Sequence, residues 1–142
     1  MDETKISSRS ETSTDEQGTL LIVEDDPLML RLMEKILSHY RYRVFAAADG
    51  EEAIEIYRRR KEEIDVVLLD IGLPRIPGWD VLVKLKAENP HVRVVIASGF
   101  LESAMKKTMH STGVKHFIKK PYLIDDMVKI LQSLVGATSR AN

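Results

Sequence analysis

Five residues with chemically capable side chains stand where short apolar runs give way to turns: Glu24, Asp25, Asp70, Ser98 and Lys120. Glu24 and Asp25 follow Thr19-Leu20-Leu21-Ile22-Val23, and Asp70 follows Val66-Val67-Leu68-Leu69. Adjacent carboxylates repel, and three in one pocket cannot all stay ionised and unpaired. A hard divalent cation such as Mg²⁺ is their natural partner, taking one or two carboxylates and a carbonyl while keeping waters. Gly72, two residues past Asp70, is placed to offer its carbonyl. A carboxylate nucleophile, a metal, a lysine and a hydroxyl are together the parts that phosphoryl transfer requires.

Each residue also has a plainer reading. Asp70 and Ser98 could simply form turns, and Lys120 could lie on the surface, as its neighbour Lys119 is expected to. Asp26 is fully accounted for as a helix N-cap with Pro27 at the first helical position. The elements decide whether the other groups can meet. Four apolar residues in a row before Asp70 read as a strand buried on both faces, as in a parallel sheet. Four further strands are expected over Thr19–Val23, Arg43–Ala47, Val92–Ile96 and Val114–Ile118. Between and after them, apolar residues recur at helical spacing. Helices are expected from Pro27, after Asp49-Gly50 (with Asp49 and Glu52 spaced as a capping box), over Trp79–Ala87, over Glu102 to about Ser111, and over Leu123–Val135. Strict alternation implies an α/β fold with a parallel sheet and helices on both faces. In such sheets, chemistry gathers outside the carboxyl ends of the strands, which is where all five residues fall.

The chain has 142 residues and a formal net charge of -1, one domain by length, with no general case for nucleic-acid or membrane binding. It has no cysteine, which removes thiolate chemistry and fits a reducing cytoplasm. No apolar run approaches the ~18 residues of a membrane span. Residues 1–18 and 137–142 are polar and read as flexible tails or a linker flanking a domain at 19–136. The basic run Arg58-Arg59-Arg60-Lys61 suits a helix C-terminus and precedes two acids, so a solvated face is favoured over a nucleic-acid patch. His39, His91, His110 and His116 share no metal-ligand spacing. Met105, Met109 and Trp79 read as packing.

With these motifs in order, the sequence resembles the receiver domains of two-component response regulators, of the chemotaxis-regulator type. The features that carry the resemblance are the acid pair after the first strand, Asp70-Ile-Gly-Leu-Pro with Pro77-Gly78, Ser98-Gly99 and Lys120-Pro121. They span about Thr19 to Val135. The resemblance implies a doubly wound, flavodoxin-like (βα)5 fold with strand order 2-1-3-4-5 and a cis Lys120–Pro121 bond. It implies that Asp70 accepts a phosphoryl group from a histidine kinase or phosphotransfer domain. Asp25 would hold Mg²⁺ directly and Glu24 through water, with the Gly72 carbonyl and Asp70 completing the protein ligands. Ser98 and Lys120 would bind phosphoryl oxygens. Ser98 moving inward would let Phe117 turn in, changing the face made by the fourth helix, fifth strand and fifth helix, where a downstream protein docks. Gly72 and Phe100 depart from the commonest family wording and are expected to set the hydrolysis rate.

Other functions fit less well. A dehalogenase-type phosphatase expects a second acid two residues after its nucleophile, where this chain has Gly72. A flavin carrier needs a phosphate-cradling loop after the first strand, where Glu24-Asp25-Asp26 would repel phosphate. A non-phosphorylated interaction module of the same fold would typically have lost an acid or the lysine. The parent context is either a single-domain regulator or a receiver of a hybrid kinase, whose wording Ser98-Gly99-Phe100 and Lys120-Pro121-Tyr122 resembles.

Overall fold

The computed structural model describes residues 16–99 and 113–141. Five strands and four helices alternate through them: β1 (Gly18–Val23), α1 (Pro27–His39), β2 (Tyr42–Ala47), α2 (Gly50–Arg60), β3 (Val66–Asp70), α3 (Gly78–Glu88), β4 (Val94–Ser98), β5 (His116–Lys119) and α4 (Ile124–Ala141). All strand pairs are parallel, in the order β2-β1-β3-β4-β5. This is the 2-1-3-4-5 arrangement expected above. The helix expected over Glu102 to Ser111, with Met105, Met109 and His110, lies outside the described residues, as does Phe100.

Because side chains alternate along a strand, the sheet builds two cores. Leu21, Val23, Val67, Leu69, Val94 and Ile96 face α2 and α3, meeting Ala53, Ile54, Tyr57, Val81, Leu82 and Leu85. Leu20, Ile22, Val66, Leu68, Val95, Ala97 and Ile118 face α1 and α4, meeting Met33, Leu37, Met127, Val128 and Leu131. Every residue of β3 is buried, so the central strand is covered on both sides. No helix among the described residues is long and apolar enough to cross a membrane.

The strand entries shift from the sequence pattern. β4 starts at Val94 rather than Val92, because Val92 closes a turn by donating its N–H to the Asn89 carbonyl at 3.0 Å. β5 starts at His116, with Val114 buried ahead of it. Gly18 joins β1 by pairing with Tyr42, and a Cβ there would lie 2.5 Å from Val135 Cγ1, so any side chain at this position would have to displace Val135 of α4. α4 continues to Ala141, past the Val135 where apolar spacing ends. Helix propagation needs no buried face once the nucleus is formed.

Candidate functional site

The carboxyl ends of the strands converge because the local sequence starts a turn or helix at each. At the end of β1, the Asp26 carboxylate caps α1 by accepting from the backbone N–H groups of Leu28 and Met29. This turns the chain and leaves Glu24 and Asp25 at the strand tip. Glu24 lies inward, only 1% exposed, and Asp25 outward. At the end of β3, the Gly72 N–H donates to Asp70 Oδ1 at 2.9 Å, closing the turn on the carboxylate itself. α3 then begins against that turn: a Cβ on Gly78 would stand 2.6 Å from the Ile71 Cα and 2.9 Å from its carbonyl oxygen. Residue 78 must therefore be glycine for α3 to start this close. The turn is also tied to α2. The Asp49 carboxylate accepts from the Glu52 N–H at 2.8 Å and from the Arg75 guanidinium at 2.6 Å.

Lys120 is brought in by β5, whose exit is fixed by the Lys120 N–H donating to the Ser98 carbonyl at 2.7 Å. The Lys120–Pro121 bond is cis. The Lys120 ammonium donates to Glu24 Oε1 at 3.1 Å and to Asp70 Oδ2 at 3.2 Å. Glu24 Oε2 accepts from the Asp26 N–H at 3.1 Å, and its Oε1 also faces the Tyr122 hydroxyl at 3.4 Å. Carboxylate oxygens of Glu24, Asp25 and Asp70 lie within 4.8 Å of one another. Asp25 has no hydrogen bond or ion pair to another described residue.

Among the described residues, three carboxylates thus face one ammonium, an excess of negative charge that a hard divalent cation would balance. The all-oxygen donor set fits Mg²⁺ chemistry. Burial works to lower the Lys120 pKa, but its bonds to Glu24 and Asp70 outweigh burial and hold the ammonium above the usual lysine range. Tyr122 is pushed far above an ordinary phenol, chiefly by burial and then by the charges of Glu24 and Asp70.

A cavity of about 590 Å³ opens over this cluster, lined by Asp25, Asp70, Gly72, Trp79, Ser98 and Lys120 among others. Ser98 is buried at the end of β4, one residue beyond the Ala97 that pairs with Asp70. Phe117 is half-buried on β5 and packs against the core that holds α2 and α3. The seven residues singled out from sequence are therefore placed as follows: Glu24, Asp25, Asp70, Gly72, Ser98 and Lys120 meet, and Phe117 stands one strand residue behind Ile118. Lys119 is exposed, as expected. The basic run resolves into ion pairs, Arg58 and Lys61 with Glu88, Arg59 with Glu55, and Arg60 with Glu63. Two residues escaped the sequence reading. Trp79 lines the cavity as well as packing, and Tyr122 reaches Glu24 across 98 residues of chain.

The family model described as the response regulator receiver domain matches residues 20–132. The chain belongs to that family. This receiver domain is 32% identical over 120 residues to the probable transcriptional regulatory protein TcrX of Mycobacterium tuberculosis, covering 84% of this chain and 50% of that protein. It is 32% identical over 114 residues to the chemotaxis protein CheY of Listeria monocytogenes, covering 80% of this chain and 94% of that one. Among solved structures, the complex of CheX and CheY with BeF3 and Mg²⁺ from Borrelia burgdorferi is similar, with a TM-score of 0.78 and 28% identity over 85% of this chain and 91% of that one. The chain spans half or less of the length of its larger curated relatives, the sensor kinase CckA of Brucella abortus among them. Receiver domains serve two-component signalling, and phosphoryl transfer is the general function of the family.

Proposed function

We propose that Asp70 is the phosphoacceptor of this receiver domain. The observation that carries this reading is its carboxylate, buried at the tip of the central strand, bonded to Lys120 at 3.2 Å and clustered with Glu24 and Asp25. One Asp70 oxygen attacks phosphorus of a donor phosphohistidine on a histidine kinase or phosphotransfer domain. The O–P bond forms, the P–N bond breaks, and the imidazole leaves with the electron pair. The product is an acyl phosphate on Asp70.

The chain's own groups divide the remaining work. Lys120 pairs with a phosphoryl oxygen, as a preplaced cation on developing charge. The Ser98 hydroxyl hydrogen-bonds a second oxygen. Asp25, Asp70 and the Gly72 carbonyl would hold Mg²⁺, with Glu24 acting through water. When bound, the cation neutralises charge on the transferring group. Gly72 leaves the approach to Asp70 open, since among the described residues even a Cβ there would touch only Asp70 Oδ1, at 3.6 Å. Water can then reach the acyl phosphate from that side, and hydrolysis returns the carboxylate. In this sense the protein catalyses only its own modification and its reversal.

The signal leaves through β5. Ser98 drawn toward the phosphoryl group vacates space beside β5, and Phe117 turns into it. The surface of β5 and α4 then changes for a downstream protein, whether this receiver acts alone or within a hybrid kinase. Support for that face is a cavity of about 610 Å³ lined by Phe117, Lys119, Leu123 and Ile130, with Leu123 67% exposed.

The test is intact mass after incubation with acetyl phosphate and Mg²⁺. A gain of one phosphoryl group, absent in Asp70→Asn and absent with chelator, is the expected result. A wild-type chain that gains nothing would leave an interaction module that has kept the pocket without the chemistry.

A further inference from the structure

A Lys120 that turns to a phosphoryl group on Asp70, as proposed above, is drawn away from Glu24 Oε1, now 3.1 Å from its ammonium. We infer that Tyr122 is a positioning residue for that step: its hydroxyl takes over Glu24 Oε1 and so releases Lys120 to the phosphoryl group. The inference rests on the phosphoacceptor reading and on the geometry around Glu24.

Glu24 is 1% exposed, so bulk water does not readily replace a lost donor at Oε1. Its Oε2 keeps the Asp26 N–H at 3.1 Å whatever Lys120 does. Oε1 has two donors, the Lys120 ammonium at 3.1 Å and the Tyr122 hydroxyl at 3.4 Å. Stripping a buried carboxylate oxygen of its donor carries a desolvation penalty, larger for a charged group. With the lysine gone, that penalty falls on Oε1 unless the hydroxyl remains. The hydroxyl is now the longer of the two contacts and stands beyond the usual ~2.7 Å of an O–H···O bond, so it has room to shorten. It is a donor at neutral pH, as an ordinary phenol is. The Tyr122 ring also lies under the moving group, with Lys120 Nζ 5.7 Å from its centroid. The ammonium thus has a soft partner on the same side as it shifts.

Among the described residues, the Tyr122 hydroxyl bonds neither Asp25 nor Asp70, the two carboxylates proposed to hold Mg²⁺ directly, and touches only Glu24, proposed to act through water. Its loss should therefore slow phosphoryl transfer without a matching loss of Mg²⁺ affinity. A merely structural tyrosine would not separate the two.

The experiment is a double-mutant cycle on the full chain. The rate of Asp70 labelling by acetyl phosphate at saturating Mg²⁺ is followed by intact mass in wild type, Tyr122→Phe, Glu24→Gln and the double variant. Mg²⁺ affinity is read in parallel from Trp79 fluorescence. Tyr122→Phe keeps the ring, and is expected to slow labelling about tenfold, the value of one hydrogen bond to a charged group, with Mg²⁺ affinity changed less than about twofold. In the Glu24→Gln background, where no buried charge needs the hydroxyl, the effect should shrink below about twofold. Equal slowing in both backgrounds, or no slowing in either, overturns the role given to Tyr122 while leaving Asp70 as the acceptor. A wild-type chain that is never labelled overturns both.

Discussion

A carboxylate that shares an ammonium with a second carboxylate is under-compensated, and the two residues of the Asp70–Lys120 pair should respond to removal with opposite signs. Asp70→Asn deletes one of three clustered negative charges and leaves Lys120 wholly to Glu24. In chelator it should be more stable than wild type by about 1 kcal/mol, the order of one like-charge interaction. Lys120→Met deletes the one cation that, among the described residues, is bonded to Glu24 and Asp70, and should cost about 2 kcal/mol, less than a fully buried pair because its side chain is 26% exposed. Urea unfolding in chelator measures both, and a destabilised Asp70→Asn would show that the acid cluster is already balanced. At this scale the sequence was informative where function and chain position coincide. Glu24, Asp25, Asp70, Ser98 and Lys120 each end a strand or follow it, and strands can be found from apolar runs. Tyr122 and Trp79 carry no such mark. Tyr122 acquires its partner through a contact 98 residues long, and Trp79 has the aromatic character of any packing residue.

The elements that carry these residues were legible where a local rule operates. Asp26 with Pro27 and Asp49 with Glu52 announce the starts of α1 and α2, and both caps form, with Glu52 reaching back to the Ala48 N–H at 2.8 Å. α3 begins without a side-chain cap, so its start was read one residue late, at Trp79. What fixes that start is the close approach of Gly78 to Ile71, a tertiary fact. Gly78→Ala therefore tests the link between α3 and the site. Its Cβ would meet backbone that cannot rotate away, so the turn over 71–77 must move, at a cost of about 1–3 kcal/mol. The Gly72 N–H bond to Asp70 should loosen with it. Urea unfolding checks the cost, and Mg²⁺ titration followed by Trp79 fluorescence checks the coupling. An unchanged Mg²⁺ affinity in a destabilised Gly78→Ala would mean that the turn adjusts without disturbing Asp70. Asp49→Ala, which loses the α2 cap and the Arg75 pair, should cost about 1 kcal/mol.

For the molecule as a whole, the alternation of strands and helices established a parallel sheet with two covered faces, but not the order of its strands. That order came from resemblance, because a right-handed crossover can move to either side of a strand and hydrophobic pattern does not choose between them. Once the order is 2-1-3-4-5, β1 and β3 are neighbours, and stability becomes linked to whatever occupies the cleft at their tips. Mg²⁺ at about a hundred times its dissociation constant should add about 2.7 kcal/mol to unfolding, and Asp25→Asn should lose most of that gain. The pH dependence has a definite sign. Lys120 holds its proton more tightly folded than unfolded, because its bonds to Glu24 and Asp70 outweigh burial. A raised folded pKa contributes stability that is fully present below the unfolded value, about 10.4 for lysine, and is lost as pH rises through the folded value. The Tyr122 phenol is raised as well, so it acts in the same direction from about pH 10 upward. Tyr42 and Tyr57, raised by burial far from the cluster, add a loss of the same sign that has nothing to do with the site. Urea unfolding between pH 8 and 11 should thus show a plateau and then a fall. The fall should be shallower in Lys120→Met with Tyr122→Phe, and what remains belongs to Tyr42 and Tyr57. An alkaline limb equally steep in that double variant would place the titrating groups in the core and take the site out of the alkaline stability altogether.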